Sequence, residues 1–192
     1  MNGPRGRLTT SRMVLMSPEP EHAEGVADYY LRNIEHLGPW SPKSTGETFT
    51  VEGQRERLMI GSTAFQAGTA WKWHLFAHDD FETVRGVVHF SQIVRGACQG
   101  CTLGYSLDRE WQGRGLMKEG LRSTIEEVFS ARGRLHRIQA NALPENERSL
   151  RLLAELGFEP LGIAPGLLHI DGRWQDLVMT ALLNLDYRDE WL

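Results

Sequence analysis

Trp111-Gln112-Gly113-Arg114-Gly115-Leu116-Met117 joins a strand-like run of the sequence to a helix-like run. Two glycines one residue apart let the backbone pass close to a ligand, and the helix that follows can point its free N–H groups at an anion. Such a loop can bind phosphate or pyrophosphate through the main chain. By itself the Gly-x-Gly turn is weak evidence, because the same pattern also makes an ordinary tight connection between a strand and a helix.

Two common nucleotide-binding motifs do not match this loop. A P-loop requires Gly-x-x-x-x-Gly-Lys-Ser/Thr, and the sequence contains no such string. A dinucleotide-binding turn has a third glycine and follows the first strand of its domain. Here Lys118 stands where the third glycine belongs, and the loop comes in the middle of the chain.

The composition is that of a globular protein. The 192 residues are 41% hydrophobic and 24% charged, with a formal net charge of −4, which predicts one domain over residues 1–192 with a sizeable core. The sequence has no Lys/Arg run, so it does not predict direct binding to nucleic acid.

No apolar run is long enough to cross a bilayer, and residues 1–7 lack the apolar core of a signal peptide, so no membrane partner and a cytoplasmic location are expected.

Cys98 and Cys101 form a single Cys-x-x-Cys in a strand-like region. A structural zinc site usually needs four protein ligands, and a redox pair normally opens a helix. We therefore interpret both cysteines as packing or surface residues, and the sequence predicts no metal site.

Hydrophobic periodicity predicts an alternation of strands and helices. Strands are predicted at residues 8–15, 71–77, 83–93, 102–107, 137–142, 161–170 and 174–183. Helices are predicted at residues 21–34, 51–66, 115–131 and 147–156. Asn146 is a good N-cap for the last helix, and Gly157 stands where a left-handed C-terminal cap is expected. This mixed order predicts an α/β sheet with helices on its faces.

The glycine loop resembles the Gln/Arg-x-x-Gly-x-Gly/Ala loop of the GCN5-related N-acetyltransferases, the GNAT superfamily, which grips the pyrophosphate of acetyl-CoA. The sequence departs from the family at Met117, where Gly or Ala is usual. The family's downstream Asn…Asn-x-x-Ser…Gly-Phe pattern is also present, in Asn141, Asn146, Ser149, Leu153, Gly157 and Phe158. Shorter matches extend the resemblance over nearly the whole chain and favour the ribosomal-protein alanine N-acetyltransferases within the superfamily.

This resemblance implies a GNAT fold, in which a mixed, mostly antiparallel sheet of about seven strands is splayed in the middle and carries helices on both faces. It implies direct transfer of the acetyl group from acetyl-CoA to an amine, without an acyl-enzyme and without a metal. The implied acceptor is the N-terminal amine of a ribosomal protein, with a small first residue such as alanine or serine.

The resemblance also implies which residues hold the cofactor. The strand before the loop would leave backbone N–H groups free for the pantetheine arm and the thioester oxygen, while the loop would bind the pyrophosphate. Together with polar residues downstream, the expected set is Leu103, Gly104, Tyr105, Ser106, Leu107, Trp111, Gln112, Gly113, Arg114, Gly115, Leu116, Met117, Asn141, Asn146 and Ser149.

Ser149 and Asn141 are the expected catalytic residues. Ser149 lies on the first turn of its helix and would protonate the CoA thiolate; alternatively it occupies a capping-box position, where its hydroxyl serves the backbone. Asn141 would contact the cofactor or orient a water. Tyr105 fits a core aromatic equally well.

No general base is evident in the sequence. Some relatives that modify ribosomal proteins carry a Glu where this sequence has Leu168, and His89, His169 and Asp176 are the possible substitutes. An α-amine, with a pKa of about 7.7–8.0, is on the order of a tenth neutral at pH 7, whereas a lysine amine is neutral to under roughly 0.1%. The difference, roughly 2.5 units or about 3.4 kcal/mol, favours an N-terminal amine as the acceptor.

The acceptor site is expected beneath the two-helix segment of residues 21–66. The expected substrate-binding residues are aromatic: Tyr30, Trp40, Trp73 and Phe90, with Tyr29 and Trp71 as further candidates. Aromatic residues at helix or strand period are usually core residues. Trp40 differs from the others because it stands between prolines in a loop.

Two alternative functions stay open at this point. The acceptor could be a small amine such as a polyamine or an aminoglycoside, although the acidic cluster of Glu19, Glu21 and Glu24 also fits the first turn of a helix. The chain could instead bind acetyl-CoA as a ribosome-assembly factor without transferring the acetyl group. The sequence does not indicate an oligomeric state.

Overall fold

A computed structural model describes residues 3–191. Met1 and Asn2, which belong to the segment expected to lack a signal peptide, and Leu192 lie outside the described residues. Eight strands form one sheet in the order β1-β2-β3-β4-β5-β6-β8-β7. The strands are β1 (Arg7–Thr9), β2 (Val14–Met16), β3 (Trp71–Phe76), β4 (Gly86–Val94), β5 (Gly100–Leu107), β6 (Arg137–Ala142), β7 (Glu159–Ile170) and β8 (Arg173–Leu183). Among the strands of residues 3–191, only the β5–β6 pair is parallel, which confirms the mixed, mostly antiparallel sheet.

The prediction of about seven strands was one short, because residues 8–15 form a hairpin instead of one strand. The polar run from Thr10 to Arg12 turns the chain, and the Thr10 N–H donates to the Met13 carbonyl at 2.9 Å. Leu8 then pairs with Leu15 across the hairpin, so both leucines stay in the core.

The helices lie on both faces of the sheet, as expected. They are α1 (Ala23–Arg32), α2 (Ile34–Leu37), α3 (Val51–Ala67), α4 (Leu116–Phe129) and α5 (Glu147–Glu155). On β4, Val87 packs with Val26 of α1 and Leu58 of α3, whereas Val88 belongs to the cluster that contains Leu121 of α4 and Leu153 of α5. Since successive strand residues point to opposite faces, α1 and α3 cover one face, and α4 and α5 cover the other. In the described part of the chain, no helix combines the length and apolar composition that a membrane span requires.

The predicted helix over residues 21–34 ends earlier than expected. The Asn33 side chain donates to the Tyr29 carbonyl at 2.9 Å, which closes α1, and the chain restarts as the short α2. The Asn33 Oδ1 atom accepts a 3.0 Å bond from the Arg109 N–H, and the Arg32 Nε atom lies 2.8 Å from Asp108. These contacts fix the α1–α2 corner beside the end of β5.

The sheet separates between β5 and β6, which confirms the predicted splay. Residues Gly100 to Leu103 pair with Arg137 to Ala140. Beyond that point β5 continues to Leu107 paired only with β4, and β6 continues to Ala142 paired only with β8. The backbone groups that point into the gap therefore have no strand partner.

Gly25 lies where α1 approaches the loop before β4 closely, and we expect this contact to affect stability. A methyl group on Gly25 would lie 2.0 Å from the Glu82 carbonyl oxygen. Because that neighbour is backbone, Gly25→Ala should lower the free energy of unfolding by about 1–3 kcal/mol. Gly46→Ala is the matched control, since a methyl group there meets nothing within 4 Å. Urea unfolding should show a change below about 0.5 kcal/mol for the control; equal stability of the two variants would contradict the packing described.

Candidate active site

The gap between β5 and β6 opens into a cleft of about 1130 Å³. Most of the expected cofactor residues line it: Leu103, Gly104, Tyr105, Ser106, Leu107, Gln112, Gly113, Gly115, Leu116, Met117, Asn141, Asn146 and Ser149. Trp111 and Arg114 do not line the cleft. Trp111 lies under the Arg85 guanidinium at 4.7 Å, and the Arg114 carbonyl accepts a 2.7 Å bond from Arg12.

The glycine loop has the backbone shape that its sequence predicts. Gly113 and Gly115 both have φ of +73°, a left-handed conformation that favours glycine. Gly115 is the N-cap of α4 and has no side chain to occupy the first-turn N–H groups. These groups lack acceptors within the helix and carry the positive end of its dipole, so they suit an anion. The Met117 side chain is 6% exposed and packs into the core, which accommodates this departure from the family pattern.

Arg12 and Glu119, which the sequence did not single out, hold the outer side of the loop. The Arg12 Nε atom lies 2.6 Å from Glu119 of α4, while its Nη1 atom donates to the Arg114 carbonyl. Burial opposes ionisation of Glu119, but hydrogen bonds from Thr10, Arg12 and Ser11 lower the pKa of its carboxyl to about 2. The β1–β2 turn therefore fixes the position of the glycine loop through Arg12.

Tyr105 and Ser149 form a hydroxyl pair across the cleft. The Tyr105 Oη and Ser149 Oγ atoms are 2.7 Å apart. Asn146 supplies the cap of α5, because its Oδ1 atom accepts from the Ser149 N–H at 3.1 Å. The Ser149 hydroxyl thus faces Tyr105, while the Asn146 N–H that a capping box would engage donates to the Leu143 carbonyl at 2.9 Å. Burial raises the pKa of Tyr105 to about 12, so both hydroxyls hold their protons at neutral pH and can pass one on.

His89 is the one of the three substitute bases that faces the cleft. It lies against Gly104, where a methyl group would come 2.3 Å from the imidazole ring. Burial, reinforced by the charge of Lys72, lowers the pKa of His89 to about 4, so the ring is neutral at pH 7. His169 packs on Trp174 with ring centroids 5.5 Å apart and lines neither the cleft nor the smaller cavity beside it, although its neighbours Leu168 and Ile170 line the cleft.

Asn141 lines the cleft, whereas Asp176 does not. Asp176 accepts a 2.8 Å bond from the Gly166 N–H in the β7–β8 hairpin and lines neither cavity. Asn141 lies in the last part of β6 on the cleft wall, and its Oδ1 atom accepts from Gln139 at 3.3 Å. Leu168 also lines the cleft. This is the position at which, by the family resemblance, some relatives carry a Glu.

A second cavity of about 580 Å³ adjoins the cleft. The two cavities share the lining residues Leu37, Ser41, Pro42, His89, Tyr105 and Ser106. Tyr30 lines the second cavity, while Tyr29 is fully buried and donates to the Ser106 Oγ atom at 2.8 Å. This cavity is the candidate acceptor site, since it meets the cofactor cleft at Tyr105 and His89.

The prediction that Trp73 and Phe90 bind the acceptor was wrong. Trp73 and Phe90 are both 0% exposed and pack edge to face, with centroids 6.0 Å apart, in the core. They point to the α4 side of the sheet, whereas His89 points to the other side. Trp71 is buried with them, and Trp40 is half-exposed and lines the cofactor cleft instead of the acceptor cavity.

His36 joins the acceptor roof to the cofactor loop. Its Nε2 atom lies 2.5 Å from the Gln112 Nε2 atom. Burial, followed by the charges of Arg109 and Arg148, lowers the pKa of His36, which favours the neutral ring that can accept from the amide. Local sequence patterns do not indicate this pair, because His36 and Gln112 are 76 residues apart.

Comparison with known proteins agrees with this geometry. The acetyltransferase (GNAT) domain family matches residues 12–159. The Escherichia coli [ribosomal protein uS5]-alanine N-acetyltransferase is 41% identical over 186 residues, which cover 97% of this chain and 95% of that protein. The crystal structure of the ribosomal-protein-S5-alanine acetyltransferase from Vibrio fischeri has a TM-score of 0.90 and 34% identity, with 95% and 98% of the two chains covered.

A more distant solved structure shares the fold. Mycobacterium smegmatis RimJ in complex with CoA-disulfide superposes with a TM-score of 0.86 at 21% identity, covering 94% of this chain and 88% of that one. The chain belongs to the GNAT acetyltransferase family, which confirms both the resemblance and the acyltransferase class.

The hydroxyl pair makes a kinetic prediction. Ser149→Ala should lower kcat by about 100-fold, because general acids contribute roughly 10²–10⁴-fold. Tyr105→Phe should also lower kcat, by about tenfold at least, because it removes the phenolic proton from the pair. CoA affinity, measured by calorimetry, should change little in either variant. Ser62→Ala on α3, outside both cavities, is the control. Full turnover of Ser149→Ala would rule out the proton-donor role.

The lowered pKa of His89 makes a prediction about stability and pH. The unfolded chain protonates this histidine below about pH 6.5, whereas the folded protein does so only near pH 4. The free energy of unfolding should therefore fall as the pH drops from about 6.5 to 4, with up to about 3 kcal/mol of the loss coming from His89. His89→Gln should make that fall shallower in urea titrations but not abolish it, because burial also lowers the pKa of His74 and His22, and His169→Gln should leave the profile as it is in the parent. Identical profiles for His89→Gln and the parent would contradict the burial of His89.

Proposed function

We propose that this protein transfers the acetyl group of acetyl-CoA to the N-terminal α-amine of a ribosomal protein. One observation carries the proposal: a cleft with an anion-binding loop meets a second cavity at Tyr105, Ser106 and His89. A thioester in the cleft and an amine in the second cavity would come together at this border. The residues have the chemistry that each partner requires.

Acetyl-CoA is the proposed donor, and it supplies an activated acetyl group as its thioester. The loop Gly113–Met117 would hold the pyrophosphate through its N–H groups. Basic side chains on the same cleft would meet further phosphate charge: Arg109, Lys118, Arg148 and Arg151. The CoA named in the Mycobacterium smegmatis structure, which shares this fold, supports the assignment.

The proposed mechanism is direct transfer. The amine nitrogen forms a bond to the thioester carbonyl carbon, and the bond from that carbon to sulfur breaks. Backbone N–H groups of Gly104–Leu107 that point into the gap would donate to the carbonyl oxygen as it gains negative charge. The Ser149 hydroxyl would give its proton to the leaving thiolate and regain one through Tyr105. The amine proton would leave to water or to neutral His89.

A weak base is sufficient for an α-amine. Its neutral fraction at pH 7 is on the order of a tenth, so His89 or water only has to remove the proton after attack. A lysine side chain would require an additional deprotonation of about 3.4 kcal/mol, and His89, whose pKa is about 4, is too weak a base to supply it. The acceptor is therefore proposed to be an N-terminus.

The charges of the acceptor cavity argue against the small polycations. Lys43 and Lys72 line it, with Asp171 as its one acidic lining residue. The acidic residues Glu19, Glu21 and Glu24 do not line it. A polyamine or aminoglycoside would meet like charge on the inner wall. The Escherichia coli relative, named for the alanine of ribosomal protein uS5, supports a ribosomal acceptor with a small first residue, and such an acceptor implies a cytoplasmic reaction.

A library of peptides with different N-terminal residues tests the proposal, with mass spectrometry to find the acetylated amine. Peptides that begin with Ala or Ser should be acetylated on the α-amine, and kcat/KM should rise with pH to a plateau above about 9, following the amine. An internal lysine in an N-terminally blocked peptide should react at least about tenfold more slowly.

Spermidine is the control acceptor for the alternative of a small amine. Faster acetylation of spermidine than of any peptide would replace the proposed acceptor. Binding of acetyl-CoA without acetylation of any amine would favour an assembly factor. The Tyr105–Ser149 pair favours the enzyme, because a protein that only binds has no use for a proton donor at the thioester.

A further inference from the structure

Lys72 lies on the wall of the acceptor cavity. It pairs with His89 in the register of β3 and β4, and both residues line the cavity of about 580 Å³. Since paired residues of antiparallel strands point to the same face, the Lys72 side chain lies beside the histidine that marks the border with the cofactor cleft.

This lysine has no carboxylate partner in the described part of the chain. The salt bridges within 4 Å among residues 3–191 do not include it. Asp171, the acidic lining residue, is exposed on the β7–β8 turn, and Lys43 is exposed as well. Burial and then the charge of Arg57 lower the pKa of Lys72, which reflects a cation that lacks a counter-charge.

A half-buried cation without a partner is unfavourable unless it serves a ligand. The acceptor amine must reach the border beside His89, so the next few residues of the acceptor pass through the cavity that Lys72 lines. Residues opposite each other on antiparallel strands have Cα atoms about 5 Å apart, and an extended chain advances about 3.3–3.6 Å per residue. Lys72 is therefore within reach of the second to fourth residues of a bound N-terminus.

We propose that Lys72 is a specificity-determining residue that pairs with an acidic side chain, Asp or Glu, at one of positions 2 to 4 of the acceptor. This inference rests on the proposed function, since it requires a polypeptide N-terminus in the cavity. A charge-assisted contact with a carboxylate is stronger than one with a neutral amide, so the lysine distinguishes Asp from Asn and Glu from Gln. The same positive wall repels acceptors that are basic near the N-terminus.

The test compares matched Ala-initiated peptides that carry Asp or Asn, and Glu or Gln, at positions 2, 3 and 4 in turn. With the parent protein, kcat/KM should favour the acidic peptide by about tenfold at one of these positions. Lys72→Met should bring that ratio close to one. Arg55→Met removes the same charge from the exposed face of α3, outside the cavity, and should leave the ratio unchanged. Lys72→Arg should retain the preference.

The possible results separate failure of the inference about Lys72 from failure of the proposed function. Absence of an acidic preference at all three positions, or a preference that survives in Lys72→Met, would overturn the inference while the proposed function stands. An equal loss for Asp and Asn peptides would show that Lys72 binds a backbone carbonyl, which also overturns it. Failure to acetylate any α-amine would instead overturn the proposed function. CoA binding and thermal unfolding establish that the variants are folded, and Lys72→Gln replaces Lys72→Met if the latter does not fold.

Discussion

The separation of β5 from β6 is the constraint on which the site depends. The two strands pair only as far as Leu103 and Ala140, and backbone groups beyond that point face a gap. Buried backbone N–H groups without partners are unfavourable, so a gap of this kind is suited to a ligand that supplies acceptors. The N-termini of α4 and α5 open onto the same gap and bring the glycine loop and Ser149 to it. A continuous sheet would leave neither the cleft nor backbone N–H groups free to face it.

The roof of the site is held in place by contacts between distant segments. Tyr29 of α1 bonds to Ser106 of β5, and His36 of α2 contacts Gln112 of the loop. These contacts hold the smaller cavity against the cleft, so in the proposed reaction the relative position of amine and thioester would follow from the packing of α1 and α2. Direct transfer requires such positioning, because reacting atoms must be held within about 3–3.5 Å of each other.

The sequence predicted features that depend on local signals. The Asn146 cap, the left-handed Gly157 and the loop before α4 each follow from a few neighbouring residues. Contacts between distant segments left no such signal, as with Arg12 and Glu119, which are 107 residues apart. Trp73 and Phe90 were assigned to the wrong side because alternation along a strand identifies two faces without saying which one is buried by α4. The family resemblance supplied the splay, which periodicity alone does not encode.

Backbone N–H groups at the gap and in the glycine loop are proposed to bind CoA. The most direct test is a titration of the 15N-labelled protein with CoA, followed by the amide chemical shifts. We expect the largest changes in Gly104–Leu107 and Gly113–Met117, with smaller ones at Asn146 and Ser149. Saturation by CoA with these amides unchanged, and the changes confined to the acceptor cavity or to the β7–β8 hairpin, would contradict it.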